Sequence, residues 1–254
     1  LSDLQDLESL IVIGDIHGDF ESLSNALDDI DVNRNAIIFL GDYADRGPDG
    51  VKVVRKIDNL TKKHPKTIIA LKGNHEDFSQ AGNPKFNDCS LKREIESKNE
   101  NWQTFFIQEL KPFVDKLYLA AIIPDEILFV HGGISSDIRV YNDLRNPTVN
   151  VEKIVLWSDP FEGKGQRFNK ERNIGIQFGE DITMEVCANI GVKKIIRSHE
   201  PGKAQSGPYY SHGKKIITVS STDVYGGSPF ALRINPLNLD HITPLDLRKH
   251  QSQL

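Results

Sequence analysis

Short apolar runs alternate with amphipathic stretches along the first third of the chain. Runs 10–14, 36–40 and 67–71 are almost wholly apolar and read as strands buried on both faces. Between them, Phe20, Leu23, Leu27 and Ile30 recur at helical spacing, as do Val51, Val54, Ile57 and Leu60. The spacing predicts helices over 20–30 and 49–63, the second with Pro48 near its start. Continuous apolar strands joined by helices predict a parallel sheet covered on both sides. Residues 77–118 begin polar and then carry Trp102, Phe105, Phe106, Leu110 and Phe113. They read as a helical excursion ending near Pro112, with the aromatic set packed as core. The remainder predicts strands at 117–123, 126–130, 153–157, 193–197, 214–220 and 230–234, and a helix at 181–190 closed by Gly191. No repeat or low-complexity linker interrupts the pattern. Residues 1–254 therefore read as one α/β domain with a loosely held tail from about 240.

Five of the apolar runs end in residues that bind metal or activate water. Ile11-Val12-Ile13 leads to Gly14-Asp15-Ile16-His17-Gly18, and Ile37-Ile38-Phe39-Leu40 to Gly41-Asp42-Tyr43-Ala44-Asp45-Arg46-Gly47. Ile68-Ile69-Ala70-Leu71 leads to Gly73-Asn74-His75-Glu76, run 127–130 to His131-Gly132-Gly133, and run 195–198 to His199. A single buried histidine or a single turn aspartate would be unremarkable. Five strand ends in one pattern predict a polynuclear metal site on one rim of a sheet. The donors are Asp15, His17, Asp42, Asn74, His131 and His199, all oxygen or nitrogen. They suit manganese first, with iron or zinc also served, better than a thiolate-bound cluster. Six donors exceed the need of one ion and suit two divalent ions sharing Asp42, with a water bridging them. Two aspartates against four positive charges leave a cationic centre, and Arg46 and Arg172 add to it. That pocket suits a phosphate dianion.

Composition narrows the class. Lys and Arg number 31 against 36 Asp and Glu, a net charge of −5, which argues against a nonspecific nucleic-acid binder. No apolar run approaches the ~20 residues of a membrane span. No signal peptide is visible ahead of the first strand, where Asp3, Asp6 and Glu8 stand. Cys89 and Cys187 lie outside every motif and fit a reducing, cytoplasmic setting, Cys187 as a core residue of its helix. His64, His212, His241 and His250 lack a strand-end setting and read as solvated. Oligomeric state leaves no mark in the sequence.

At these residues the chain resembles the phosphoprotein phosphatase family of serine/threonine phosphatases, within the calcineurin-like metallophosphoesterases. The family pattern GDxHG, GDYVDRG, GNHE, HGG and a late histidine reads here GDIHG, GDYADRG, GNHE, HGG and RSHE. Leu156-Trp157-Ser158-Asp159-Pro160 adds a segment typical of protein phosphatases, and the likeness runs from about 10 to 234. The resemblance implies two mixed β-sheets packed face to face with helices outside. It implies one metal on Asp15, His17 and Asp42, and a second on Asp42, Asn74, His131 and His199. His75 would be the general acid, oriented by Asp45. Arg46, Asn74 and Arg172 would contact phosphate, with Tyr225 on a loop beside them. The implied substrates are phosphoserine and phosphothreonine proteins, attacked by a metal-bridging hydroxide. A dinucleoside polyphosphate hydrolase of the same superfamily is the alternative, since Asp45-Arg46-Gly47-Pro48 resembles that branch too. A metal-binding scaffold without turnover is disfavoured, because no ligand or acid is missing. Ala44, Lys72 and Gly226 depart from the common family residues. The compact pattern resembles prokaryotic or archaeal members.

Overall fold

The computed structural model describes residues 6–28 and 30–248. The opening strand–helix alternation forms as the pattern predicts: β1 (Ser9–Ile13), α1 (Phe20–Asp28), β2 (Asn35–Phe39), α2 (Gly50–Lys63) and β3 (Ile68–Ala70). The three strands run parallel. The excursion contains α3 (Ser90–Ser97), α4 (Trp102–Phe105), a π-helical stretch over Phe106–Leu110 and α5 (Lys111–Val114). All five of its predicted core residues are buried against the outer face of the first sheet.

The chain then forms β4 (Ala120–Ile123), β5 (Ile127–Val130), α6 (Tyr141–Arg145), α7 (Val149–Trp157), β6 (Asp159–Pro160), β7 (Gln166–Phe168) and β8 (Ile176–Phe178). It continues with α8 (Glu180–Ile190), β9 (Lys194–Arg197), β10 (Tyr209–Ser211), β11 (Ile216–Thr218), β12 (Phe230–Asn235) and β13 (Asn238–Asp246). One five-stranded sheet has the order β13-β12-β1-β2-β3 and the other β10-β11-β9-β5-β4; β6-β8-β7 make a small third sheet. Both large sheets mix parallel and antiparallel pairs.

Period-two alternation sorts the apolar residues into layers. Leu10, Val12 and Ile38 of the first sheet meet Ile127, Phe129 and Ile196 of the second. Ile11, Ile13, Ile37 and Phe39 face α1, α2 and the excursion instead. Leu128, Val130 and Ile195 face α7 and α8. The result is the expected pair of mixed sheets face to face with helices outside.

Three sequence readings change. Residues 153–157, read as a strand, are the last turns of α7. Thr148 Oγ1 accepts the Val151 N–H at 3.2 Å and starts that helix, and so short an apolar run cannot by itself distinguish strand from helix. The expected loose tail is β13 up to Asp246, paired with β12, and Leu247 is buried. Leu239 and Ile242 pack on the inter-sheet core and Leu245 on the outer one, while Pro244 is tolerated on an edge strand. The rest of that tail, with His250, lies outside the described residues, as does Asp3. His212 is buried rather than solvated, its Nδ1 2.8 Å from Thr183 Oγ1 and its Nε2 donating to the Phe161 carbonyl at 2.9 Å.

Candidate active site

The carboxyl ends of β1, β2, β3, β5 and β9 converge, and the backbone leaves each strand abruptly there. His17, Asp42, Asp45, Arg46 and His199 all have φ between 49° and 72°, a left-handed conformation that costs a non-glycine residue energy and collects at functional sites. Glycines permit the closest approaches. A Cβ on Gly73 would lie 2.2 Å from Asp42 Oδ1, and one on Gly41 2.4 Å from the Gly73 nitrogen. Only a bare backbone lets the ends of β2 and β3 come this near.

All six predicted donors meet in this volume, each no more than 4% exposed. His131 Nδ1 donates to the Leu40 carbonyl at 2.9 Å, which leaves Nε2 with a lone pair. That Nε2 lies 3.0 Å from Asn74 Oδ1, 3.1 Å from His199 Nδ1 and 3.4 Å from Asp42 Oδ1. Asp42, His131 and His199 form one group that could hold an ion. On the other side His17 Nδ1 donates to the Ala44 carbonyl at 3.2 Å and turns Nε2 towards Asp42 Oδ2 at 3.5 Å and Asp15 Oδ2 at 4.0 Å. His17, Asp42 and His75 form a second such group, and the two groups share Asp42.

Asp15 is pinned through one oxygen. Its Oδ1 accepts from the Ser198 hydroxyl and from the His199 N–H at 3.1 Å. Asp15 Oδ2 and His199 Nε2 are buried without a hydrogen-bond partner. A buried orphan carboxylate oxygen is costly unless a cation meets it. Burial, reinforced by the positive charge of His75, lowers the His17 pKa to about 3. Burial likewise holds His131 and His199 well below the usual imidazole range. Neutral imidazole is the ligand form. Asp42 is pushed up by burial and by the Asp15 and Glu76 carboxylates, a crowding of negative charge that a cation would relieve. The residues present therefore fit divalent metal.

Within that second group His75 differs from the other donors in having a carboxylate partner of its own. Its Nδ1 lies 2.8 Å from Asp45 Oδ2, and its backbone N–H donates to Asp42 Oδ1 at 2.9 Å. Burial disfavours the imidazolium, but the Asp42 charge and the Asp45 hydrogen bond outweigh it, so the pKa is raised. Asp45 Oδ1 accepts the Leu91 N–H at 2.8 Å, which fastens the acid–base pair to the start of α3.

The predicted phosphate contacts surround the mouth. A cavity of about 470 Å³ is lined by Arg46, Asn74, His75 and Arg172, with Phe86 and Trp157 among its apolar walls. Arg172 reaches Asp159 through Nε at 2.5 Å and the His199 carbonyl through Nη2 at 2.9 Å. Arg46 is looser, 3.5 Å from Asp88 Oδ2 and 3.3 Å from the Asn87 carbonyl. Tyr225 packs edge-on to His17 at 5.4 Å between centroids and is 41% exposed.

The sequence motifs contain Glu76 and Asp159 but do not reveal what these residues support. Glu76 Oε2 accepts the N–H groups of Asp42 and Gly73 at 2.8 and 2.9 Å, and Oε1 that of Tyr43 at 3.0 Å, tying two strand ends together. Its position three residues after Gly73 is the one available hint, since that is capping spacing. Asp159 holds both Arg172 and the fully buried Arg197, whose Nη2 is 3.0 Å away. Nothing in the local sequence announces those long-range pairs.

Comparison with known proteins gives the family and the fold. A family model described as calcineurin-like phosphoesterase matches residues 9–203. The chain is 30% identical over 223 residues to a serine/threonine-protein phosphatase of Caenorhabditis elegans, covering 84% of this chain and 47% of that protein. It is 31% identical over 238 residues to serine/threonine-protein phosphatase 5 of Homo sapiens, covering 87% of this chain and 44% of that one. It thus spans about half the length of these relatives. A solved serine/threonine phosphatase from Saccharomyces cerevisiae, described as similar to human PP5, superposes with a TM-score of 0.78 at 25% identity, over 97% of this chain and 82% of that one. A putative diadenosine tetraphosphatase shares the fold at 16% identity, with a TM-score of 0.57 over 94% of this chain and 93% of that one.

Proposed function

We propose, from the premise that the chain belongs to the calcineurin-like phosphoesterase family, that it is a metal-dependent protein serine/threonine phosphatase. The observation that carries this reading is one shared aspartate with an acid beside it. Asp42 joins two groups that could each hold an ion, and His75, which lies within one of them, has its Nδ1 committed to Asp45 at 2.8 Å. Asp15, His17 and Asp42 would hold one ion, and Asp42, Asn74, His131 and His199 the other. Two divalent ions there would supply Lewis-acid charge and activated water.

The remaining work belongs to the chain's own side chains. Arg46 and Arg172 grip the phosphate oxygens, helped by Asn74, and Tyr225 closes the His17 side. A serine or threonine alkoxide is a poor leaving group and needs a proton. The Asp45 carboxylate favours the imidazolium form of His75, and with Nδ1 committed to Asp45 it donates from Nε2. Stabilising charge on phosphate and positioning the acid are the main sources of rate acceleration in such a site.

Phosphoserine and phosphothreonine peptides, a phosphotyrosine peptide and diadenosine tetraphosphate, assayed side by side with Mn²⁺, test the substrate class. The first two are expected to show the highest kcat/KM. Preference for the dinucleotide would overturn the protein-phosphatase reading in favour of polyphosphate hydrolysis.

A further inference from the structure

The side of the sandwich formed by β3 and β4 carries an arrangement that the catalytic reading does not use. Each is the terminal strand of its sheet. They touch once, where Tyr118 donates its N–H to Ala70 and accepts from the Lys72 N–H, at 3.1 and 2.8 Å. Beyond that bridge no strand among the described residues covers the outer edge of β4. An open edge offers a row of unpaired backbone donors and acceptors.

Apolar cavities flank this edge on both faces. One, of about 730 Å³, lies on the helix side of the second sheet, lined by Ala120, Ile122, Leu128 and Leu144. The other, of about 210 Å³, lies on the inter-sheet side, lined by Ile38, Ile69, Ile123 and Phe129. A strand laid along β4 points successive side chains to opposite faces. Alternate residues of one extended segment would therefore enter the two cavities in turn. A helix presents a single stripe and could fill only one. Tyr118 and Tyr141, 62% and 47% exposed, border the larger cavity and supply apolar surface with a polar tip.

Charge gives the occupant a direction. Arg145 stands exposed at the rim of the larger cavity, and no acid among the described residues pairs with it. Lys72, on the same rim, is instead held by Glu152 at 2.8 Å. We infer that the β4 edge docks an extended segment of a separate protein partner by strand addition, with apolar residues at alternate positions and an acidic residue meeting Arg145. Main-chain pairing would supply affinity, and the two cavities specificity. The inference is independent of which phosphoester is cleaved.

The test uses the full chain and a library of fluorescein-labelled peptides that alternate valine, isoleucine or phenylalanine with threonine and end in two aspartates. Anisotropy titration is expected to find binders, and those binders to slow amide hydrogen exchange within 120–123. Arg145→Glu, an exposed change that spares the core, should weaken them about tenfold, as loss of a rim charge contact does. Tyr118→Ala should weaken them as well. Absence of any binding up to about 1 mM peptide, a limit near −4 kcal/mol, would overturn the inference. So would protection that maps away from β4, or affinity indifferent to Arg145→Glu. Sedimentation showing that the chain dimerises through β4 would overturn it too, by giving the edge to a second copy.

Discussion

The ligand cluster and the arginine rim lie within one site yet are held in different ways. Asp15, His17, Asp42, His131 and His199 are buried, and backbone groups orient most of them: the Leu40 carbonyl for His131, the Ala44 carbonyl for His17 and the His199 N–H for Asp15. Arg46 and Arg172 are steered by distant acids, Asp88 and Asp159. The lesson concerns rigidity. Donors set by strand ends and backbone hydrogen bonds are already brought together by the fold itself. The arginines depend in part on ion pairs that can be tuned or removed, although Arg172 also reaches the cluster through the His199 carbonyl.

Breaking that contrast should be easiest at Asp42. Asp42→Ala removes the carboxylate shared by both groups, so bound metal and phosphate release are both expected to disappear. Elemental analysis beside an activity assay checks it. His75→Asn comes next. It should lower turnover of alkyl phosphates by about 10²–10⁴-fold, the usual worth of general acid catalysis, while metal content holds. Aryl phosphates, with better leaving groups, should lose much less; equal losses would remove His75 from the acid role.

The rim responds on a different axis. Asp159→Ala takes from the fully buried Arg197 one of its two acids, leaving Glu200, and should cost about 1–3 kcal/mol of stability, the usual penalty for removing one partner of a buried charged hydrogen bond, read as a lower urea midpoint. Asp45→Asn sharpens the acid assignment through pH. Burial pulls the His75 pKa down, and Asp42 and Asp45 pull it above the ordinary value. Without the Asp45 charge His75 gives up its proton at lower pH, so the basic limb of kcat should move downwards by about one pH unit. The smallest effect is expected at Asp88→Asn. Asp88 is exposed and 3.5 Å from Arg46, and kcat/KM should change by less than about fivefold.

The same division explains what could be read before the structure. The strand ends were legible because a buried parallel strand is a continuous apolar run and its ligand follows at once, as at Ile13-Gly14-Asp15 and Val130-His131. The four-layer sandwich followed from family resemblance, not from periodicity. Periodicity alone misread 153–157, where an apolar run of helical residues looks like a strand. It also let go of β13, whose apolar residues are spaced among polar ones and a proline. Asp159 and Glu76 stood in motifs but their roles went unread for another reason: each acts on partners far away in sequence or on backbone groups, and such pairings exist only once the chain is folded. His212 illustrates the same limit, being buried by contacts with Thr183 and Phe161.

The central claim is that Asp42 joins two ion-binding groups. Its most direct test is the metal-to-protein ratio, by mass spectrometry after loading with Mn²⁺ and desalting, for the unaltered chain, His17→Ala and His199→Ala. The account predicts two ions in the unaltered chain and one in each variant. A single ion in the unaltered chain, or two ions persisting in both variants, would contradict it.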